Sequence, residues 1–510
     1  LKVEPQYVVS IHLGANSLSL LVTQNLGETS EQLEYLEQPI PLARDIFGSG
    51  RVKRETIERS VNILQGYLQT LSQLGLTKED ITIAATTNIL QEAKNSHVVL
   101  NRLDVALGIK FMEITNGAMT RLIFQKAQRH LISSQFPTDG KILVAHVGPG
   151  NTRLLLLNNG KVERFSTYRL GSHRTAEVLH QDYISGKDYL SIINGHCIPF
   201  IDSIKYDYRD EEINALILIG SEIQRVEREN KKYKIGNSIT QYKKTLHACA
   251  EMSEEERIKT FHLDYHSEDA FLPSLQINYS LITGLGIEKY WIPPSEYERG
   301  LLDDLPITRT KNYLFLEESL HAARLLAKKY EVDPKHYEHV LELCESLFRQ
   351  TQHIHKMGEW ELFLLQVAAI VHEVGAYIGP QMHHKHSYYL LTNSEIFGVD
   401  QATNEIIAIV CRYHRQSPPK QSHEEYSRLS REDQVLVSKL SALIRVADAL
   451  DSSLTQRVKK LTISQEKKNL ILTVEGPRRL ELEKIALRNK GNLFEEIFGL
   501  KLKLRTVSSL

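Results

Sequence analysis

Histidine, glycine and small polar residues recur in two segments that align with one another, Ile11-His12-Leu13-Gly14-Ala15-Asn16-Ser17-Leu18 and Ala145-His146-Val147-Gly148-Pro149-Gly150-Asn151-Thr152-Arg153-Leu154. Each reads as an apolar β run, a His-x-Gly turn with a hydroxyl residue, and a second apolar run. A hairpin of this kind aims backbone N–H groups at whatever sits above the turn, which is how proteins cradle phosphate without large side chains. Gly14, Asn16, Ser17, Gly148, Gly150, Asn151 and Thr152 are therefore candidate phosphate-binding residues. Two such hairpins suggest a duplicated fold with a phosphate cleft between its halves. A second constellation lies further along. His336, the pair His372-Glu373, His414 and Asp448 each stand at or near one end of an apolar helical run, so these four polar ligand types can converge on one point at the surface of a helical bundle.

The elements that must position these residues change character along the chain. Residues 1–125 alternate strand-like runs (Tyr7 to Leu13, Ser19 to Thr23, Ile81 to Ala85) with a helix over Arg54 to Leu74, whose stripe at Ile57, Val61, Leu64 and Leu68 has the spacing of one buried face. Residues 126–308 start again with Lys141 to Val147 and Arg153 to Asn158, and later carry the apolar strand Ala215 to Ile219. Residues 309–455 are almost wholly helical and rich in histidine. Residues 456–510 form a small α+β segment, with β runs around Gly476-Pro477, one helical stretch near Glu481 to Phe498 and an excess of Lys and Arg.

With 510 residues the chain has room for several domains, and 42% hydrophobic with 25% charged residues is ordinary globular composition. A net charge of −1 argues against bulk nucleic-acid binding. Cys197, Cys249, Cys344 and Cys411 are scattered without a CxxC pair, which fits a reducing compartment. No apolar run reaches the roughly 18 residues of a membrane span, and a secretory pattern is lacking at the start, so the cytoplasm is the expected location.

Taken with the hairpins, the segments Glu92-Ala93-Lys94-Asn95 (read as helical), Arg121-Leu122-Ile123-Phe124, His372-Glu373-Val374-Gly375, His383-His384-Lys385-His386-Ser387, Arg412-Tyr413-His414-Arg415 and Phe494-Glu495-Glu496-Ile497-Phe498-Gly499 resemble the exopolyphosphatase / guanosine pentaphosphate phosphohydrolase (Ppx/GppA) family over essentially the whole chain. The resemblance implies an α/β actin/hexokinase-like pair of duplicated ribonuclease-H-like lobes, then an all-α domain similar to HD phosphohydrolases, then a small α+β C-terminal domain. It also implies a hydrolase of polyphosphate or guanosine polyphosphate, with Mg²⁺ or another divalent metal as cofactor, in a homodimer without membrane or specific nucleic-acid partners.

The chain departs from the family where its chemistry resides. His12 and His146 stand where the two hairpins should carry Asp, Arg153 stands for a Glu, and Ala118-Met119 replace the acidic segment that supplies the general base. A lost general base costs about 10²–10⁴ in rate, and carboxylates that hold Mg²⁺ also neutralise the attacked phosphate. Imidazole is a poor ligand for so hard an ion. Either the two imidazoles face each other and, with Arg153, bind a phosphate-rich ligand or a softer metal, changing charge between about pH 5 and 8, or they are drift in a dead site. In the helical domain the order His336, His372-Glu373, His414, Asp448 resembles the metal ligands of HD phosphohydrolases, with His384 or His386 as a further ligand; these histidines either hold metal or pack in an interface, while Arg412, Arg415, Lys385 and Arg445 offer phosphate-binding cations. The sequence thus points to a catalytically impaired phosphoanhydride binder. An active hydrolase, through the cleft or the HD-like centre, and a structural partner of an active paralogue are the alternatives.

Overall fold

The computed structural model describes residues 6–25, 30–133, 140–179, 187–229, 233–293, 299, 301–305, 316–415, 417–475 and 480–507. The chain divides into two compact units, 1–310 and 311–510.

The first unit holds two five-stranded sheets. One contains β1 (Gln6–Leu13), β2 (Ser17–Asn25), β3 (Ser30–Pro39), β4 (Ile81–Thr86) and β5 (Met112–Glu113), in the order β3-β2-β1-β4-β5. The other contains β6 (Lys141–Val147), β7 (Thr152–Asn158), β8 (Lys161–Tyr168), β9 (Ile213–Ile219) and β10 (Tyr290–Trp291), in the order β8-β7-β6-β9-β10. In both, three strands form an antiparallel meander and two more join in parallel. The duplication extends to register. His12 lies opposite Ser19 and Ala85, and His146 lies opposite Arg153 and Ile219, all related by one common sequence offset. Irregularities recur in the same strand pairs, at Val9/Ser10 and Lys141/Ile142, and again at Val22/Thr23 and Leu156/Leu157. The duplication is the one the hairpins suggest, and the twin lobes are the actin/hexokinase-like pair that the family resemblance implies.

Central strands such as β6, β7 and β9 are nearly continuous apolar runs because both faces of each sheet are covered. The helix Arg54–Gln73 forms as expected, but its buried stripe is Ile57, Ser60, Leu64, Tyr67 and Leu71, with Val61 and Leu68 only half-buried. The hydroxyl of Tyr67 donates to Leu18 O at 2.6 Å, and that bond sets the rotation. The stretch Glu92–Asn95 is not helical. A 3₁₀ turn over Asn88–Glu92 ends there and a helix restarts at Ser96–Leu107, because the Asn95 amide is bonded to Val52 N and Val52 O, both at 2.9 Å.

In the second unit the helices Leu316–Lys329, Pro334–Gln350, Glu359–Val371, His383–Thr392, Gln401–Arg412 and Arg431–Leu450 surround one core that includes Leu347, Leu365, Ile370, Ile409 and Leu443. Asp333, Asp400 and Ser430 cap three of them by accepting from first-turn N–H groups. A three-stranded sheet of β11 (Lys460–Glu466), β12 (Asn469–Glu475) and β13 (Lys501–Val507) shares that core through Leu461, Leu470 and Leu472. The expected helix near 481–498 is two, Glu481–Lys490 and Asn492–Phe498, interrupted at Gly491, while residues 476–479 lie outside the described residues. The four cysteines are buried and unpaired. Among the described residues no helix is long and apolar enough to cross a membrane.

Candidate functional site

Both hairpin turns close in the same way. Gly14 N–H donates to Ser17 O at 2.8 Å and Gly148 N–H to Asn151 O at 3.0 Å. A Cβ on Gly148 would stand 2.9 Å from Cε1 of His146, so glycine lets the turn fold over the imidazole. The two glycine amides are thus committed to the turns, and Pro149 has no N–H at all. The Thr152 hydroxyl points inward, donating to Leu170 O at 2.6 Å. The backbone cradle anticipated from the sequence is correspondingly thinner. What remains around it is a small cavity of about 60 Å³, with Asn16, Ser17, His146, Gly148, Glu222 and Arg225 among its lining. That is well below the ~300–1,000 Å³ of ordinary ligand pockets.

The bases of the turns are dry and carry nitrogen. His12, His146 and Arg153 are 2%, 3% and 3% exposed. Arg153 reaches from the second lobe to the first, donating through Nη2 to Asn116 Oδ1 at 3.0 Å, and Asn116 also accepts from Asn88 Nδ2 at 2.9 Å. Asn116 opens the helix Asn116–Ser133, on which Ala118 and Met119 are buried in the first turn and Lys126 is buried further along. Burial, then the charges of Arg153 and Lys126, push the His146 imidazole well below its usual range. His146 therefore stays neutral at physiological pH, contrary to the expectation that it would change charge between about pH 5 and 8. Glu222 is a buried acid that lines the same small cavity as His146. Burial raises its pKa, partly opposed by hydrogen bonds, one of them from Ser274 Oγ at 3.2 Å.

Magnesium asks for several oxygen ligands at short range. Here the positions that would supply them present imidazole and guanidinium, and among the described residues no trio of His, Cys, Asp or Glu brings its donor atoms together in this cleft. The residues present do not fit Mg²⁺. The lobes are tied across the cleft by Glu92, which accepts from Arg174 Nη2 at 2.7 and 2.8 Å, and by the ion pair of Arg44 with Asp269.

The second constellation assembles within the helical unit. His336 lies in the first turn of Pro334–Gln350, His372 and Glu373 just past Glu359–Val371, His414 just past Gln401–Arg412, and Asp448 near the end of Arg431–Leu450. Donor atoms of His336, His372 and Glu373 lie within 4.8 Å of one another, as do those of Glu373, His383 and His414. Nε2 of His336 is 3.8 Å from Asp448 Oδ1. Adjacent rings follow one another, with centroids 5.4 Å apart for His336–His372, 5.0 Å for His372–His414 and 5.1 Å for His414–His383. Burial lowers the pKa of His372 and carries that of His414 well below the ordinary value, with neighbouring imidazoles adding to the effect at both. Burial opposes charge at His336 too, yet Asp451, Asp448 and Glu373 raise its pKa. Asp448 is held well below the carboxylate range despite its burial, chiefly by Lys490, with which it forms an ion pair.

Sequence reasoning missed four members of this centre. The further histidine is His383, whereas His384 and His386 take no part in either trio. Asp451 binds His336 Nδ1 at 2.8 Å and His339 Nδ1 at 3.2 Å, and Lys490 reaches in from the C-terminal segment. The spacing of Asp451 from Asp448, one helical turn on, was a usable signal. Of the proposed phosphate-binding cations, Arg445 is unavailable: it is fully buried and donates to Lys490 O at 2.9 Å and Asn492 Oδ1 at 2.8 Å. Arg412 is paired with Glu425.

Comparison with known proteins bears on both parts. Residues 4–305 match the family model described as "Ppx/GppA phosphatase family", and residues 320–490 match "Ppx/GppA phosphatase, domain III". The chain is similar to a protein named guanosine-5'-triphosphate,3'-diphosphate pyrophosphatase from Pseudoalteromonas translucida, 24% identical over 470 residues, which span 88% of this chain and 87% of the relative. A protein of the same name from Vibrio atlanticus is 21% identical over 423 residues, spanning 81% and 82%. Among solved structures, a Ppx/GppA family member from Aquifex aeolicus aligns at 17% identity with a TM-score of 0.47, covering 61% of this chain and all (100%) of that one.

Proposed function

The chain belongs to the Ppx/GppA phosphatase family, and from that premise we propose that it takes a phosphoanhydride, polyphosphate or a guanosine polyphosphate, in the cleft between its α/β lobes and holds it there with its hydrolytic power impaired. The observation that carries this reading is the exchange of charge type at the turn bases, where buried His12, His146 and Arg153 stand in place of acids. A neutral imidazole beside a guanidinium repels a dication and favours an anion, and the planar fork of Arg153 suits phosphate oxygens. The names of the two curated relatives support a guanosine polyphosphate as one candidate ligand. The small volume of the cavity favours entry of a terminal phosphoryl group over a whole nucleotide.

Two measurements on the full chain test this. Long-chain polyphosphate with Mg²⁺ or Mn²⁺ is expected to give phosphate release at least about 10²-fold below that of an acid-bearing family member, the loss that follows from a missing general base alone. Calorimetry with polyphosphate is expected to show salt-sensitive binding that weakens in Arg153→Gln and in Arg225→Ala, the latter on the cavity wall. Rapid Mg²⁺-driven release abolished by His146→Ala would overturn the proposal. So would absence of both release and binding, which would favour a structural partner of an active paralogue. Release that survives His146→Ala and fails in His372→Ala would move the chemistry to the helical unit.

A further inference from the structure

We propose that the helical unit binds two divalent transition-metal ions side by side, one on His336 and His372 and the other on His383 and His414, with the carboxylate of Glu373 shared between them. The proposal is independent of the reading of the cleft, because every residue it uses lies in the second unit.

Its first support is geometric. The two trios of potential ligands, His336-His372-Glu373 and Glu373-His383-His414, have Glu373 as their common member. A carboxylate has two oxygens and can bridge, which an imidazole nitrogen cannot. Glu373 and His383 are also the members that meet solvent, with side chains 28% and 12% exposed, so ions have a way in.

The second support is the orientation of the rings. His372 Nδ1 faces Ala369 O at 2.8 Å, His414 Nδ1 faces Cys411 O at 2.6 Å, His383 Nδ1 faces Pro380 O at 3.3 Å and His336 Nδ1 faces Asp451 Oδ2 at 2.8 Å. A nitrogen that meets a carbonyl or carboxylate carries the proton, so in the neutral ring each Nε2 is left as a lone pair. Outer groups that fix the tautomer in this way are the usual companions of metal-binding histidine. Here all four Nε2 atoms turn toward one pocket. Those of His336 and His372 are buried with no hydrogen-bond partner, on residues that are 2% and 0% exposed. Those of His383 and His414 stand 3.1 Å apart, a hydrogen bond whose donor depends on the tautomer, and with both Nδ1 atoms protonated they become two lone pairs facing each other. Buried lone pairs left without donors are costly. A cation placed among them gives the orphaned Nε2 atoms of His336 and His372 a partner and draws on the facing pair of His383 and His414 as well.

The donor set also selects the ion. Four imidazole nitrogens with Glu373 and Asp448 suit borderline ions such as Mn²⁺, Fe²⁺, Co²⁺ or Zn²⁺, and disfavour Mg²⁺ and Ca²⁺, which require oxygen. The Lys490 ammonium is paired with Asp448, and the Arg445 guanidinium also feels that carboxylate.

The test uses the full chain, stripped with a chelator and then titrated with Mn²⁺, Zn²⁺ and Mg²⁺ separately. Metal content after desalting and the calorimetric stoichiometry are the readouts. Two Mn²⁺ or Zn²⁺ per chain and no retained Mg²⁺ are expected, with magnetic coupling between two Mn²⁺ ions visible in the electron paramagnetic resonance spectrum. His383→Ala, a change at the pocket rim, is expected to retain one ion and lose the coupling. His386→Ala, at a half-buried position outside both trios, should retain both. A stripped protein with unchanged circular dichroism that takes up one ion or none would overturn the proposal, and so would His383→Ala that still holds two.

Discussion

Replacing Asp451 with alanine is expected to destabilise the metal-free helical unit by about 3–5 kcal/mol, the range for removing one partner of a buried ion pair. Asp451 is 0% exposed and accepts from His336 Nδ1 at 2.8 Å, from His339 Nδ1 at 3.2 Å and from the Gln456 amide at 2.8 Å. Hydrogen bonds to a charged group contribute about 1.5–3 kcal/mol each, and part of that sum is offset because the carboxylate no longer has to be desolvated. Water cannot readily replace it, since the His336 and His339 side chains are 2% and 9% exposed. The pH dependence has a definite sign. Burial favours the neutral acid, but the two imidazoles and the Gln456 amide hold Asp451 well below the ordinary carboxylate range. Its contribution is therefore present above the unfolded value of about 4 and is lost as pH falls through the folded one. Burial lowers His336 and His339, yet Asp451 raises both overall. Their contribution is complete below about 6.5 and fades as pH rises through the raised values. The deficit of Asp451→Ala should accordingly be largest between about pH 4 and 6.5 and shrink on the alkaline side. Urea unfolding in the presence of a chelator, followed by the fluorescence of Trp360 in a Trp291→Phe background, isolates the transition of this unit. A deficit under about 1 kcal/mol at pH 6, the size of an exposed pair, or one that grows with pH, would refute the reasoning.

In the first unit, Gly171→Ala would bring a Cβ to 2.5 Å from Pro149 O and 2.6 Å from Asn151 N, all backbone. It should cost about 3 kcal/mol or more, and an unchanged melting temperature would contradict the packing of that turn. Lys490→Ala leaves the buried Asp448 carboxylate without its ammonium. Stability in chelator should fall by about 3 kcal/mol and recover on adding Mn²⁺; a fall that metal does not repair would count against Asp448 as a ligand. The double change His146→Asp with Arg153→Ser is expected to give the first unit a Mg²⁺-dependent rise in melting temperature that neither change gives alone, and a scan without that rise would show that other groups exclude the ion.

How much of this was legible in the sequence depended on whether the constraint was local. The twin hairpins were, because glycine at 14 and 148 answers to a turn within a few residues, and the apolar runs of β6, β7 and β9 announce strands covered on both faces. The ends of the apolar helices located His336, His372, His414 and Asp448 for the same reason. His383 was missed because its direction is set by tertiary contact. Among 383, 384 and 386, the residue that faces inward depends on the rotation of the helix His383–Thr392, and that rotation is fixed by Ser387, which donates to His372 O at 2.7 Å and accepts from Gly375 N at 2.9 Å. His383 shares the face of Ser387, four residues on. Gly375 permits the approach, since a Cβ there would overlap the backbone of His383 and Ser387. Lys490 was beyond reach for a simpler reason: nothing near it in the chain says that its helix packs on Arg431–Leu450.

The register also explains why the replacements in the cleft belong together. His146 and Arg153 are direct partners across the β6–β7 ladder, so their side chains leave the same face of the sheet as close neighbours. An acid at 146 beside the guanidinium would be drawn into an ion pair and would serve a metal poorly; an imidazole there is held neutral by the same guanidinium and by Lys126, after burial itself. In the first lobe the partner of His12 is Ser19, which carries no charge. Between these two ladder positions the positive charge belongs to the second lobe, where Arg153 extends to Asn116 of the first and connects the two halves at the level of the turns. The imidazole beside that guanidinium is held neutral, and the same depression of its pKa makes it a weak base toward water.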